Sequence, residues 1–210
     1  MEQLLIQKNL RADVYRILAE CYRRPDEGFL RSLGCLGAPG ETTLDQIVHA
    51  AAASDIEKLQ IDHARLFIGP YKLLAPPYGS VYLEDGALMG NSTVNVEEFY
   101  REEGMEASDQ DVPDHITAEM EFMYVLIGKE VEAVEAGEFD TACDYRQKQK
   151  TFIGVHLGAW TAEFADRVLQ NAQTEFYRTL GLLTGQFVRE DLQLLSTDSL
   201  PLQTAMEPDK

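Results

Sequence analysis

The chain has no long hydrophobic run, few bases and few cysteines, and each shortage closes off a class of function. No stretch approaches the roughly 18 apolar residues that a membrane span needs. Met1 to Lys8 lacks a basic region followed by an apolar run, so no secretory leader is expected either. Bases number 18 against 36 acids, a net charge of −18. That balance disfavours nucleic acid and anionic membrane surfaces, both of which reward positive charge. The cysteines, Cys21, Cys35 and Cys143, are odd in number, far apart and form no CxxC pair. They are expected to be buried or bystander thiols, neither metal ligands nor disulfides. The motifs GxSxG, HExxH, GxxxxGKS/T and GxGxxG are all missing, so no standard hydrolase, zinc-protease or phosphate-binding signature is present. A cytoplasmic protein without a cofactor follows as the expectation.

What the chain does have is helical periodicity. Hydrophobic residues make up 45 % of its 210 residues, ample for the core of one domain or two closely packed halves. Leu10, Val14, Ile17, Leu18 and Cys21 form one stripe of a helix from about Glu2 to Arg24, ended by Pro25. A short helix is expected over Asp26–Leu33 and a loop over Gly34–Gly40. A second long-range stripe comprises Leu44, Ile47, Val48 and Ala51. Ser54 is the expected N-cap of a helix carrying Leu59, His63, Leu66 and Phe67. From Gly69 to Asn91 the stripe disappears among Pro70, Pro76, Pro77, Gly79, Gly86 and Gly90, and Tyr71, Tyr78 and Tyr82 mark this stretch as an ordered connection. Helices resume with Val96, Phe99 and Tyr100, closed by Gly104. The next starts at Pro113, carries Ile116, Met120, Met123, Ile127, Val131 and Val134, and stops at Gly137. One long helix is expected from Phe139 through Trp160, and a last one from about Asn171 to Leu195. The expected fold is therefore all-α, a bundle of about 8–10 helices in two packed subdomains joined by a proline-rich hinge. The boundaries are residues 1–68, hinge 69–91, residues 92–195, and a fraying tail 196–210.

The strongest cluster of chemically capable residues is Pro113 to Glu121. His115 and Glu119, four apart, share a helix face and could bind a metal or act as acid and base, but zinc catalysis requires a third protein ligand. A plain helix N-terminus, capped by Asp111 or Asp114, accounts for the acids equally well. Between Glu97 and Glu121 stand ten acids and a single base, Arg101. An acidic groove of this kind beside an aromatic loop suits an apolar peptide that carries arginine.

Four segments, in order, carry a resemblance: Tyr15–Pro25 (YRILAECYRRP), Gly69–Tyr82 (GPYKLLAPPYGSVY) following Ala64–Phe67 (ARLF), Val96–Gly104 (VEEFYREEG), and Pro113–Met123 (PDHITAEMEFM). Over about residues 10–195 the chain resembles the TorD/DmsD family of redox-enzyme maturation chaperones. The resemblance implies an all-helical, non-enzymatic chaperone that binds the twin-arginine signal peptide of a molybdoenzyme subunit. It would hold that subunit in the cytoplasm until its molybdopterin cofactor is loaded. It implies peptide binding by Asp114, His115 and Glu119 and by the hinge residues Pro77, Tyr78, Ser80 and Tyr82, to which Tyr71 adds a further aromatic. Tyrosines stand where some relatives carry hinge tryptophans, and the single tryptophan is Trp160. The expected partner is the leader or mature part of a molybdopterin oxidoreductase subunit, with no nucleic acid and no stable membrane insertion. A monomer and a hinge-swapped dimer both fit. The alternatives are an assembly chaperone for a cytoplasmic nitrate-reductase-type subunit and a metal-dependent hydrolase built on Asp114, His115 and Glu119.

Overall fold

The structure, a computed structural model, describes residues 2–35, 43–69, 73–105 and 112–197. The described residues form ten α-helices: α1 Glu2–Tyr22, α2 Glu27–Cys35, α3 Thr43–Ala52, α4 Ile56–His63, α5 Gly79–Leu83, α6 Asn91–Glu102, α7 Ile116–Ala136, α8 Phe139–Val155, α9 Leu157–Asn171 and α10 Glu175–Thr197. Among those residues there is no strand, only an antiparallel bridge between Tyr78 and His115. The all-α expectation holds. Gly34, expected to open a loop, still belongs to α2, and Ser196 and Thr197, expected in the fraying tail, still belong to α10; the loop beyond α2 and the tail beyond α10 lie outside the described residues.

Local chemistry explains where most helices begin and end. Pro25 follows α1, and the Asp26 carboxylate then accepts from the Phe29 amide at 2.7 Å to open α2. The cap of α4 is Asp55, not Ser54: its carboxylate accepts from the Glu57 and Lys58 amides. The Ser54 hydroxyl instead donates to the Ala50 carbonyl at 2.6 Å, which satisfies the end of α3. α4 runs into a π-helical turn, Ala64–Ile68, closed by Gly69 at φ 28°. The long helix expected across residues 139–160 is two helices, because His156 leaves helical geometry at φ −121°, ψ −99°.

α1 packs most extensively against α7, α7 against α8, and α9 against α10, while α3 lies on α10. Inside sit Tyr15, Leu18, Met120, Met123, Phe152, Trp160, Phe164, Phe176 and Tyr177. Leu10 does not join them and is 58 % exposed. The inward positions of that part of α1 belong to Lys8 and Arg11, whose charges are matched by Glu130 on α7 and Asp191 on α10. Tyr15 donates to the same Asp191 at 2.6 Å. A hydrophobic-stripe argument cannot anticipate buried ion pairs.

Candidate functional site

The residues leading into and opening α5 are held by hydrogen bonds at Ala75, Pro77, Gly79 and Ser80. The Ala75 amide donates to the Leu66 carbonyl at 3.0 Å, and the Pro77 carbonyl accepts from the Ile116 amide at 2.9 Å. The Gly79 amide donates to the Asp114 carbonyl at 2.8 Å. These last two bonds form the Tyr78–His115 bridge, and the two rings meet edge to face with centroids 5.3 Å apart. The Asp114 carboxylate, fully buried, accepts from the Ser80 amide at 2.7 Å through Oδ2. Ser80 is buried too, and its hydroxyl accepts from the Met89 amide at 3.2 Å. α7 consequently starts later than Pro113. Val112 to His115 make a turn, closed by the His115 amide donating to the Val112 carbonyl. His115 itself is the N-cap, its Nδ1 accepting from the Thr117 amide at 3.2 Å. Asp114 is not the cap, and Asp111 lies outside the described residues.

Behind this bridge is a polar cluster. Glu119 is 1 % exposed, and its two oxygens share the Trp160 indole N–H at 3.3 Å each. Burial, and then the neighbouring Asp114 charge, push its carboxyl well above the usual range; the Trp160 bond acts the other way and is outweighed. Gly79 packs against the same pair. A Cβ there would stand 2.9 Å from Trp160 Nε1 and 3.1 Å from Glu119 Oε1, so the close approach requires glycine. Tyr100 donates to the Pro113 carbonyl at 2.8 Å. Burial holds His156 below its ordinary value, partly offset by Asp114.

In front of the bridge lies an open cleft of about 290 Å³. Its apolar wall is Tyr22, Phe67, Ile68, Pro77 and Tyr78, and its polar wall includes Arg23, Arg24, His63, His115 and Glu121. Glu121 is half-exposed and pairs with Arg23 at 2.6 Å. Burial keeps His63 below its ordinary value, so it is neutral near pH 7 while its Nε2 meets the Tyr22 carbonyl at 3.1 Å.

Of the residues singled out in the sequence, Pro77, Tyr78 and His115 come together at this cleft. Tyr82 does not. Its ring stacks on Trp160 with centroids 5.4 Å apart, Arg167 lies over it at 4.8 Å, and it lines a separate recess with Pro76, Leu88 and Glu163. Asp114, Ser80 and Glu119 are interior, so neither carboxylate presents an acidic face to solvent. His115 and Glu119 are not a working pair either: one caps α7 beside Tyr78, the other bonds Trp160 in the core. Among the described residues no group of three or more His, Cys, Asp or Glu is arranged to hold a metal ion. Tyr71 lies outside the described residues. Within the acidic run, Glu103 is taken up by Lys129 and Lys148. Tyr22, Phe67 and Glu121 had not been singled out for binding. All three belong to or adjoin quoted segments, but only the fold shows that α1, the π-helical turn and α7 converge.

Comparison with known proteins places this architecture. Residues 34–166 match the family model described as nitrate reductase delta subunit. The Tat proofreading chaperone DmsD of Salmonella typhimurium is 29 % identical over 121 residues, 57 % of this chain and 53 % of that protein. The chaperone protein TorD of Aliivibrio fischeri is 28 % identical over 142 residues, 66 % of this chain and 65 % of that one. The chain spans about half the length of the curated DmsD relatives it matches. A crystal structure of a candidate redox enzyme maturation protein from Archaeoglobus fulgidus has the same fold, with a TM-score of 0.60 and 24 % identity over 86 % of this chain and 94 % of that one.

Proposed function

The chain belongs to the nitrate reductase delta subunit family, and from that premise we propose that it is a cytoplasmic chaperone binding the twin-arginine signal peptide of a molybdoenzyme catalytic subunit. In this role it holds the subunit for cofactor insertion before export and performs no chemistry of its own. The relatives' names as Tat proofreading and TorD chaperones support the class of function. The observation that carries the site is the Tyr78–His115 bridge, which brings two of the family-like segments together at one cleft. A signal peptide has a positive end and an apolar stretch. Tyr22, Phe67, Ile68 and Tyr78 offer rigid apolar surface for the stretch. Glu121, the half-exposed carboxylate of the cleft, receives an arginine in exchange for Arg23. The buried Asp114 and Glu119 are not in position to do so.

Calorimetry with a twin-arginine leader peptide tests this. Micromolar or tighter binding is expected, about −8 kcal/mol. Tyr78→Ala should weaken it by about 1–2 kcal/mol, roughly tenfold, as for a buried aromatic anchor. Unchanged affinity in Tyr78→Ala removes the cleft from the reading. The family description also favours a second client, a cytoplasmic nitrate-reductase-type subunit. Binding to a leaderless catalytic subunit, with none to the leader peptide, would select that client.

A further inference from the structure

We infer that Asp114 serves peptide binding as a positioning residue, a latch that sets the hinge, and that Glu121 is the carboxylate that meets the arginine. The first half rests on geometry alone, and the second on the signal-peptide reading above. Asp114 holds two consecutive amides of the α5 start: Gly79 through its backbone carbonyl and Ser80 through Oδ2. Those bonds place Tyr78, one residue earlier, against His115 on the cleft wall. The carboxylate is fully buried, and its second oxygen, Oδ1, has no hydrogen-bond partner among the described residues. A buried oxygen without a donor would ordinarily be a natural seat for a guanidinium. Here the cleft does not reach it: Asp114 is absent from the cleft lining, whereas its neighbours His115 and Thr117 line it.

The latch also explains why α5 can exist at all. Five residues are too few for a helix to stand alone. Acceptor atoms at its first amides, with Tyr82 stacked on Trp160 one turn later, hold it in place. What Asp114 supplies is therefore an acceptor atom in a fixed place, and the charge is secondary. A receptor for arginine would need the opposite.

The two roles separate in the Asp114→Asn variant, which keeps a carbonyl acceptor and loses the charge. Amide hydrogen exchange at Ser80 and calorimetry with a twin-arginine peptide and its arginine-free counterpart are measured in parallel. A latch predicts that Asp114→Asn keeps Ser80 protected and keeps peptide affinity within about twofold. Asp114→Leu should speed Ser80 exchange about tenfold or more and weaken both peptides by the same factor. Glu121→Gln should weaken only the twin-arginine peptide, by about fivefold or more. Selective loss of the twin-arginine peptide in Asp114→Asn would overturn the inference, as would unchanged Ser80 exchange in Asp114→Leu. Should Asp114→Leu not fold, the Asn variant still decides. If the wild type binds no leader peptide, the signal-peptide reading fails while the exchange arm judges the latch by itself.

Discussion

Replacing Glu119 with glutamine should make the protein more stable as the pH rises, and the slope of the effect follows from the structure. Glu119 sits 1 % exposed with one shared N–H, and among the described residues no cation pairs with it. Its folded-state pKa is raised, by burial first and Asp114 next. In the unfolded chain the same carboxyl titrates near about 4.3. Below that pH both states hold the proton and the native environment costs nothing extra. Above it the unfolded state ionises while the native state keeps its proton, so stability falls by about 1.4 kcal/mol per pH unit. The fall continues until the pH passes the raised folded-state pKa. Glu119→Gln has no proton to lose, so that slope vanishes from its profile. Any fixed cost of the new amide shifts the curve without tilting it. Urea unfolding from pH 5 upwards, followed by the fluorescence of Trp160, the single tryptophan and Glu119's own partner, measures both curves. Their difference should grow in favour of the variant by about 1.4 kcal/mol per unit over the first units. A difference that stays constant with pH would show that Glu119 is ionised in the native state and refute the reasoning.

Two further substitutions probe the frame around the site. Asp62 is 1 % exposed and accepts from Arg65, from the Gln173 and Thr174 amides, and from the Thr174 hydroxyl, pinning the start of α10 to α4. Asp62→Ala should cost about 3 kcal/mol and lower Tm by about 6–12 °C in calorimetry, and a loss below about 1 kcal/mol would count against the pinning role. Gly79→Ala should cost about 1–3 kcal/mol by pushing Trp160 off Glu119, visible as a change in tryptophan emission, and a neutral result would mean the packing there is looser than 2.9 Å implies.

Helix periodicity was readable in the chain because most inward positions are apolar. Val96, Met120, Met123, Ile127, Leu157, Leu180 and Leu183 are all buried as their spacing requires. Several misplacements come from polar residues that do structural work. Lys8 and Arg11 displace Leu10 outward, and Asp55 outcompetes Ser54 as a cap. Asp114 looked like part of an acidic surface because its partner, the Ser80 amide, lies 34 residues earlier in the chain. The break at His156 left no mark on the apolar pattern, since Ile153, Leu157 and Trp160 stay buried on both sides of it. The loss of helical periodicity after Gly69 was legible from the prolines and tyrosines there. That Tyr78 and Tyr82 would serve different recesses was not, because it depends on the single turn of α5 between them.

The packing of α1 on α7 sets a timetable for synthesis. The surface that α1 covers is built from residues beginning at Ile116, roughly a hundred positions after Tyr22. At about 5–20 residues per second, the first helix leaves the ribosome some 5–20 s before its counterpart exists. During that interval Tyr15, Leu18 and the charges of Lys8 and Arg11 have none of their native neighbours on α7 and α10. For those seconds the chain carries α1 with its inward face uncovered.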